Sequence, residues 1–429
     1  MKFYSTRNKN LEESLSYAIL NGLAPDGGLF MPEKFLSLDL SQCSTFAEIA
    51  FEASSKFIDG DINDKELRNI CNEAFNFPVP IVEVGKNTFV MELFHGPTMA
   101  FKDFGARFMA RMVSALKEDP TQRTTVIVAT SGDTGGAVAS GFHGVRGIDV
   151  VLLYPKGKVS PLQEKQLTTW GDNITAVEVE GSFDDCQRMV KESFHDQNIK
   201  ENLNLTAANS INIARLIPQM LYYLHAVKEL RSKELIFSVP SGNFGNLTAG
   251  IFAKKLGMPL KKFLASTNIN DAVPRYLESG KFEPNPSVKT ISNAMDVGEA
   301  SNFERLMDLY DNSLESIQND VRGYSFNDEL TAQRMKQLYE EKNYLIDPHG
   351  AVGLLGAEKY REEQADSEST IVILGTAHPA KFNEVVEDHL GFSPEIPHRL
   401  SVLMDQRKIA ISCSNDFKEF KEILLGKGR

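Results

Sequence analysis

The chain has 429 residues, 42% of them hydrophobic and 24% charged, and this composition excludes disordered and fibrous proteins. Its formal net charge of -12 opposes binding along a nucleic-acid backbone or an acidic membrane surface, although a few local donors can still bind a small anion. No apolar run reaches the ~20 residues that a membrane-spanning helix requires.

The cysteines are far apart in the sequence and form no CxxC pair, so we expect free thiols and no zinc site. They are Cys43, Cys71, Cys186 and Cys413. The start MKFYSTRNKN leads into an acidic, amphipathic segment rather than into the apolar core of a signal peptide. The expected location is therefore the cytoplasm.

The N-terminal part lacks the regular alternation that predicts strands and amphipathic helices. It contains the turn-rich stretch PDGGLFMPEKF at residues 25–35. We therefore expect a separate N-terminal domain at residues 1–93.

Lys102 follows in the segment HGPTMAFKDF, close to the aromatic residues Phe101 and Phe104. Burial in such a neighbourhood lowers the pKa of a lysine and allows its amine to react with an aldehyde. A surface lysine beside Asp103 is nevertheless the more common outcome for a local sequence of this kind. The segment alone leaves both interpretations open.

From residue 124 onward, short β-branched runs alternate with helical periods, which predicts βαβ units around a mostly parallel sheet that is buried on both faces. Ser182 and Asp185 have capping-box spacing and predict a helix that begins near Phe183. A charged, mostly helical region at about 283–364 is expected as an appendage to the main sheet. The predicted strands are residues 124–130, 149–155, 174–180, 235–240, 262–268 and 370–376.

Two turns between a strand and a helix could bind anions. In VPSGNFGNLTAG, backbone N–H groups of residues 241–246 and the dipole of the following helix favour a phosphate. In ATSGDTGGAVASG, two hydroxyls, a carboxylate and free amides suit a carboxylate or a phosphate. Ordinary turn chemistry is the more common explanation of the first turn, and a helix capped by Ser131 or Asp133 explains the second equally well.

The segment AANSINIAR offers a third candidate, because one helical turn brings Arg215 near Asn209 and Ser210, and its planar guanidinium suits phosphate oxygens. A capped helix with a surface arginine is the alternative. Thr376 ends the last predicted strand, where a hydroxyl could face a ligand at the carboxyl edge of the sheet, although an ordinary turn threonine fits as well. His349 and His378 have no HExxH partner, so no metal site is predicted.

Seven motifs occur in one order along the chain: HGPTMAFKDF, ATSGDTGG, YPKGKVSPLQEKQ, ANSINIAR, VPSGNFGNLTAG, NAMDVG and LGTAHPAKF. Together they resemble the threonine synthases of the bacterial and fungal type, up to about residue 391. Single motifs are shared with other fold-type-II pyridoxal-phosphate enzymes, whereas AFKDF with SGDTG and SGNFG is specific to threonine synthases and close relatives. The resemblance favours the functional interpretation of every candidate above.

The resemblance implies an α/β fold-type-II pyridoxal-phosphate enzyme, similar to the tryptophan synthase β chain. Two open twisted sheets flanked by helices are expected, with the cofactor in the cleft between a large and a small domain. The expected segments are the N-terminal domain at 1–93, the large domain at 94–118 and 205–400, the small domain at 119–204, and a C-terminal tail at 401–429 that packs on the large domain.

By the same resemblance, pyridoxal 5'-phosphate is the cofactor, and Lys102 is its Schiff-base lysine and the catalytic base. Thr376 is expected to hydrogen-bond the pyridine nitrogen, where a neutral hydroxyl limits how far the ring acts as an electron sink. The residues expected to hold the cofactor phosphate are Gly242, Asn243, Phe244, Gly245 and Asn246.

The implied substrate is O-phospho-L-homoserine, whose two anionic ends need two further donor clusters. Elimination of its phosphate across the β and γ carbons, followed by addition of water at the β carbon, gives L-threonine in the last step of threonine biosynthesis. No nucleic acid or membrane partner is expected, and the chain is expected to act as a monomer or homodimer. The expected donors are Ser131, Asp133 and Thr134 for the carboxylate, and Asn209, Ser210 and Arg215 for the phosphate.

Two other functions fit the motifs. A threonine-synthase-like phospholyase eliminates phosphate but releases 2-oxobutyrate. A non-catalytic protein that binds small anions keeps the fold without the chemistry, and the retention of Lys102 argues against it.

Overall fold

The computed structural model describes residues 1–58, 60–117, 123–130, 132–232 and 234–426. The strands are β1 Phe3–Ser5, β2 Glu12–Glu13, β3 Phe30–Pro32, β4 Ile81–Gly85, β5 Thr88–Glu92, β6 Thr124–Ala129, β7 Ile148–Pro155, β8 Ile174–Glu180, β9 Asn204–Ala207, β10 Leu235–Pro240, β11 Leu260–Thr267, β12 Val321–Ser325, β13 Thr370–Gly375 and β14 Ile411–Ser414. Short 3-10 helices cover Ile217–Met220, Asn293–Met295 and Pro379–Phe382. The α-helices are α1 Leu15–Asn21, α2 Phe46–Ser54, α3 Asp64–Ala74, α4 Lys102–Ala115, α5 Asp133–Phe142, α6 Pro161–Thr168, α7 Phe183–His195, α8 Gln197–Asn202, α9 Ile213–Leu216, α10 Leu221–Leu230, α11 Gly245–Lys255, α12 Ala272–Ser279, α13 Phe303–Leu309, α14 Leu314–Asp320, α15 Asp328–Lys342, α16 Pro348–Gln364, α17 Asn383–Leu390, α18 His398–Met404 and α19 Phe417–Gly426.

One sheet has five strands in the order β14-β8-β7-β6-β9, and all of its strand pairs are parallel. Strands β6, β7 and β8 are buried along nearly their whole length, because helices cover both faces. The predicted strands of this region are confirmed to within one residue. The capping box of Ser182 and Asp185 is present, and α7 begins at Phe183 as predicted.

A second sheet has six strands in the order β12-β11-β10-β13-β5-β4. Its pairs are parallel except for β4 and β5, which form an antiparallel hairpin. The three strands predicted here are confirmed to within two residues. The two sheets with their helices are the α/β architecture that the motifs implied.

Besides β14, four strands of these two sheets fall where none was expected. The hairpin β4–β5 lies inside the expected N-terminal domain, yet β5 pairs with β13 of the six-stranded sheet. Strand β9 extends the five-stranded sheet past residue 204, and β12 is an edge strand within the expected helical appendage. The boundaries at 93 and 205 therefore do not match the sheets, because strand pairing joins residues that are far apart in sequence.

The C-terminal tail was expected on the large domain, and the structure corrects this. Strand β14 pairs with β8 of the five-stranded sheet, and α19 packs against α7 and α8. The physical reason is apolar burial, since Cys413, Phe420 and Leu424 lie in one hydrophobic cluster with Val177 and Met189.

The N-terminal strands form a small antiparallel sheet in the order β2-β1-β3. Helix α1 packs against β9 and the segment that follows it, and the carbonyl oxygen of Ile19 accepts from Thr206 Oγ1 at 3.2 Å and from Asn212 Nδ2 at 2.9 Å. The four cysteines are free and buried. In the described part of the chain, no helix is long and apolar enough to cross a membrane.

Candidate active site

A cavity opens where the carboxyl ends of β6, β10 and β13 face each other. Ligands of open α/β sheets bind at this edge, because the loops and helix N-termini converge there. Ser131 lies outside the described residues. Every other site residue expected from the sequence lines this one cavity: Lys102, Asp133, Thr134, Asn209, Ser210, Arg215, Gly242, Asn243, Phe244, Gly245, Asn246 and Thr376.

Lys102 is partly buried in the cavity wall at the first residue of α4. The backbone around it is tied to the end of β13, because the N–H of Phe101 donates to the carbonyl oxygen of Thr376 at 2.9 Å. Burial lowers the pKa of Lys102; Asp133 opposes this shift, whereas Lys381 adds to it. The neutral, nucleophilic form of the amine is therefore more accessible than in a solvent-exposed lysine.

The loop before α11 is shaped for an anion. Phe244 has a φ of 58°, in the left-handed region, and α11 begins at the next residue. A Cβ atom on Gly242 would lie 2.8 Å from the Cα atom of Met295, so only glycine fits there. The first N–H groups of α11 have no acceptor within the helix, and they are available to a phosphate.

Asn246 supplies a further donor at this loop. Its Oδ1 accepts from the hydroxyls of Tyr222 at 2.6 Å and Tyr223 at 2.8 Å. Its Nδ2 is buried and has no hydrogen-bond partner in the described part of the protein. An unpaired buried donor on the wall of a cavity fits a ligand oxygen.

Asp133 begins α5, and its carboxylate pairs with Lys381 at 2.6 Å and accepts from Gln163 Nε2 at 3.0 Å. Burial alone raises the pKa of this carboxyl, but Lys381 and Lys102 outweigh burial and hold the pKa of Asp133 well below its usual range. Lys381 also donates to the carbonyl oxygen of Thr98 at 3.0 Å. The pair joins the segment after β13 to the helix after β6, and thus the two sheets.

Replacing Lys381 with methionine is expected to lower the free energy of unfolding by about 3–5 kcal/mol, because it leaves the Asp133 carboxylate buried without its cation. Denaturant unfolding of the variant and the parent protein measures the difference. The pKa of Asp133 is lowered in the folded state, so the pair stabilises the folded protein fully at pH values above the unfolded pKa of about 4. This stabilisation is lost progressively as the pH falls from there towards the lower pKa of the folded state.

Two comparisons test this explanation. Combining Lys381→Met with Asp133→Asn should restore part of the lost stability, because neither charge is then left alone. The matched control is Lys86→Met, which breaks the exposed pair with Glu368 and should change little. Equal losses in the two single variants would contradict a special role for the buried pair.

A second group of anion donors lies beyond β9. Arg215 is 3% exposed, and its Nε atom is buried without a hydrogen-bond partner in the described part of the protein. Burial lowers the pKa of Arg215 to about 10, so the guanidinium stays charged at neutral pH. Asn209 Nδ2 donates to the carbonyl oxygen of Ala129 at 3.1 Å and so ties this segment to the end of β6. The alternative that Arg215 is a surface residue is therefore wrong.

The sequence did not predict the part that His349 plays. Its Nδ1 lies 2.7 Å from Asp347 Oδ2, and the backbone N–H of Ala294 donates to its Nε2 at 3.1 Å. Because a backbone N–H can only donate, Nε2 carries no hydrogen, and Nδ1 donates to the carboxylate. His349 thereby holds Ala294, whose neighbour Met295 packs over Gly242.

Comparison with known proteins identifies the family. Residues 77–376 match the family of pyridoxal-phosphate dependent enzymes, residues 2–75 match the threonine synthase N terminus, and residues 350–424 match the threonine synthase C-terminal family. A threonine synthase from Haemophilus influenzae is 42% identical over 433 residues, spanning 99% of this chain and 100% of that protein. The chain belongs to the threonine synthase family.

Solved threonine synthases have the same fold as this family member. The structure from Escherichia coli superposes with a TM-score of 0.92 at 40% identity, and the structure with bound pyridoxal phosphate from Brucella melitensis with 0.93 at 35% identity. Both superpositions cover 100% of each chain. The chain is thus a fold-type-II enzyme, a lyase with threonine synthase activity that uses pyridoxal phosphate and acts on a small molecule.

The cavity fits this cofactor. A phosphate-sized anion matches the close backbone approach that Gly242 permits and the unpaired Nδ2 of Asn246. An aldehyde matches the partly buried amine of Lys102, and Thr376, directly after β13, adds a hydroxyl to the residues that line the cavity. The residues that the structure brings together are thus chemically suited to each part of pyridoxal phosphate.

Proposed function

We propose that the substrate is O-phospho-L-homoserine and that the products are L-threonine and phosphate. One observation carries this proposal: the amine of Lys102 shares a cavity with two donor groups besides the cofactor loop, at the start of α5 and around Arg215. A substrate with a carboxylate at one end and a phosphate at the other needs both groups. All of these donors come from one chain, which supports activity as a monomer or homodimer.

Within the site, we assign Lys102 as the attachment point of the cofactor and Thr376 as the partner of its pyridine nitrogen. The residues assigned to the cofactor phosphate are Gly242, Asn243, Phe244, Gly245 and Asn246. The left-handed Phe244 and the free N–H groups of α11 support this assignment.

We assign the substrate carboxylate to the start of α5, with Ser131, Asp133 and Thr134. The carboxylate of Asp133 already pairs with Lys381, and a second carboxylate would be repelled by it. We therefore assign the backbone N–H of Asp133, in the first turn of α5, as its donor to the substrate. The substrate phosphate is assigned to Asn209, Ser210 and Arg215, where the buried guanidinium supplies the charge.

When bound, pyridoxal phosphate supplies an electron sink that stabilises negative charge at the substrate's α carbon. Lys102 Nζ removes the α proton and later a β proton, and the burial that lowers its pKa makes it easier for the amine to give up its own proton and act as a base. Arg215 and Ser210 bind the phosphate as it leaves the γ carbon. Lys102 then returns a proton to that carbon. Water adds its hydroxyl group at the β carbon, and a proton returned by Lys102 to the α carbon completes L-threonine.

Incubation of the holoenzyme with O-phospho-L-homoserine tests the proposal, with threonine, 2-oxobutyrate and phosphate quantified in one time course. We expect threonine and phosphate in equal amounts. Dominant 2-oxobutyrate would identify a phospholyase, and the absence of any product from cofactor-loaded protein would favour a small-anion-binding protein. A cytoplasmic location is also proposed, because four free thiols suit a reducing compartment.

A further inference from the structure

Arg305, on α13, is a fully buried cation. Among the described residues, no acidic side chain pairs with Arg305, and its neighbour Glu304 pairs with Arg7 instead. Burial lowers the pKa of Arg305 to about 9, so the side chain is still charged at neutral pH. Burying a charge without a partner of opposite charge costs free energy, which indicates that Arg305 has a role in the structure around it. Its donors all reach oxygen atoms, namely the carbonyl oxygens of Phe30, Ser210 and Ile211 and Oδ1 of Asn302.

Arg305 fixes which way the amide of Asn302 points. Because a guanidinium can only donate, the Asn302 atom that lies 2.8 Å from Arg305 Nη1 must be the carbonyl oxygen. The amide nitrogen of Asn302 therefore faces Ser210 and donates to its Oγ at 3.2 Å. The reverse orientation would place two donors against each other.

A second amide is fixed in the same way. The backbone N–H of Ser301 donates to Oδ1 of Asn243 at 2.7 Å, so Nδ2 of Asn243 must face Ser210 Oγ, at 3.3 Å. The Ser210 oxygen thus accepts from two amide groups, and both of its lone pairs are used. The hydroxyl hydrogen is left to donate to another acceptor. Ser210 and Arg215 both line the cavity.

We propose that Arg305 and Asn302 are positioning residues that force the Ser210 hydroxyl to donate its hydrogen to the phosphate of the substrate. This inference rests on the proposed assignment of Asn209, Ser210 and Arg215 to that phosphate. An ionised phosphate can only accept, so a hydroxyl that can only donate binds it, whereas the free hydroxyl of unphosphorylated homoserine gains less from the same contact. The arrangement thereby adds specificity for the phosphorylated substrate.

The substitution Asn302→Asp tests the proposal sharply. It preserves the shape of the side chain and gives Arg305 a carboxylate partner, but it replaces the amide donor with an acceptor. The Ser210 hydroxyl should then donate to the new carboxylate and no longer to phosphate. We expect the KM for O-phospho-L-homoserine, and the dissociation constant of inorganic phosphate measured by calorimetry, to rise roughly tenfold to a hundredfold.

Thermal unfolding separates this effect from a merely structural one. The melting temperature of Asn302→Asp without ligand should equal or exceed that of the parent protein, because the buried cation gains a partner. The rise in melting temperature that inorganic phosphate gives the parent protein should be lost in the variant. The matched control is Asn202→Asp, the same change at an exposed position on α8, which should keep the phosphate effect.

Ser210→Ala is the second variant, and it removes the donor directly. It should weaken phosphate binding to a similar degree, and adding Asn302→Asp to it should cause little further loss, since both act through one hydrogen bond. Unchanged phosphate affinity in either single variant overturns the proposal. Lost cofactor affinity with an unchanged KM for the substrate also overturns it, because the hydroxyl would then serve the cofactor.

The parent protein and Arg215→Gln distinguish failure of this inference from failure of the proposed function. If the parent protein makes threonine and Arg215→Gln weakens phosphate binding while Asn302→Asp does not, only the role of Arg305 and Asn302 is wrong. If Arg215→Gln leaves phosphate binding unchanged, the assignment of the substrate phosphate is itself wrong.

Discussion

Replacing Lys102 with alanine is expected to abolish the visible absorbance band of the bound cofactor and to lower turnover by at least roughly a thousandfold. The change removes both the covalent attachment point and the base that moves protons between the substrate carbons. Absorbance spectra of cofactor-saturated protein, recorded alongside threonine formation, measure the two losses separately.

The control for this experiment is Lys200→Ala, which removes an exposed lysine of α8. It should retain both the absorbance band and turnover. A Lys102→Ala protein that keeps the band would show that another amine carries the cofactor.

Replacing Arg215 with glutamine is expected to raise the KM for O-phospho-L-homoserine by roughly a hundredfold, because a charged contact with the phosphate is lost from a buried site. The turnover number should fall less than kcat/KM, since the guanidinium binds the phosphate before and after it leaves. Steady-state kinetics over a wide range of substrate concentration measures both constants.

The corresponding control is Arg146→Gln, at an exposed position after α5. It should leave both kinetic constants unchanged. An Arg215→Gln enzyme with the KM of the parent protein would contradict the assignment of this arginine to the substrate phosphate.

Much of the fold was predictable from the sequence, because the buried parallel strands are continuous β-branched runs. The hairpin β4–β5 was missed, since both of its strands are short and partly exposed. Strand β14 was missed for a similar reason: half of it is exposed, and its partner β8 lies more than two hundred residues earlier. Local sequence carries no signal for such a pairing.

The candidate site shows the same limit at the level of single residues. The local sequence around Lys102 favoured a surface position, and only the set of motifs in order pointed to an active-site lysine. Lys381 lies within the motif LGTAHPAKF, yet the neighbouring sequence does not indicate that Asp133 is its partner. His349 and Arg305 act by holding backbone segments from other parts of the chain, and contacts of this kind emerge only from the folded structure.

The position of β14 also bears on how the protein is made. The edge of β8 stays open during synthesis until residues 411–414 have left the ribosome, because no earlier described strand pairs on that side. An open, apolar strand edge invites pairing with other chains. The nascent enzyme therefore depends on β14 to cover this edge and protect it against aggregation. Chains that end before β14 should be recognised by chaperones and proteases.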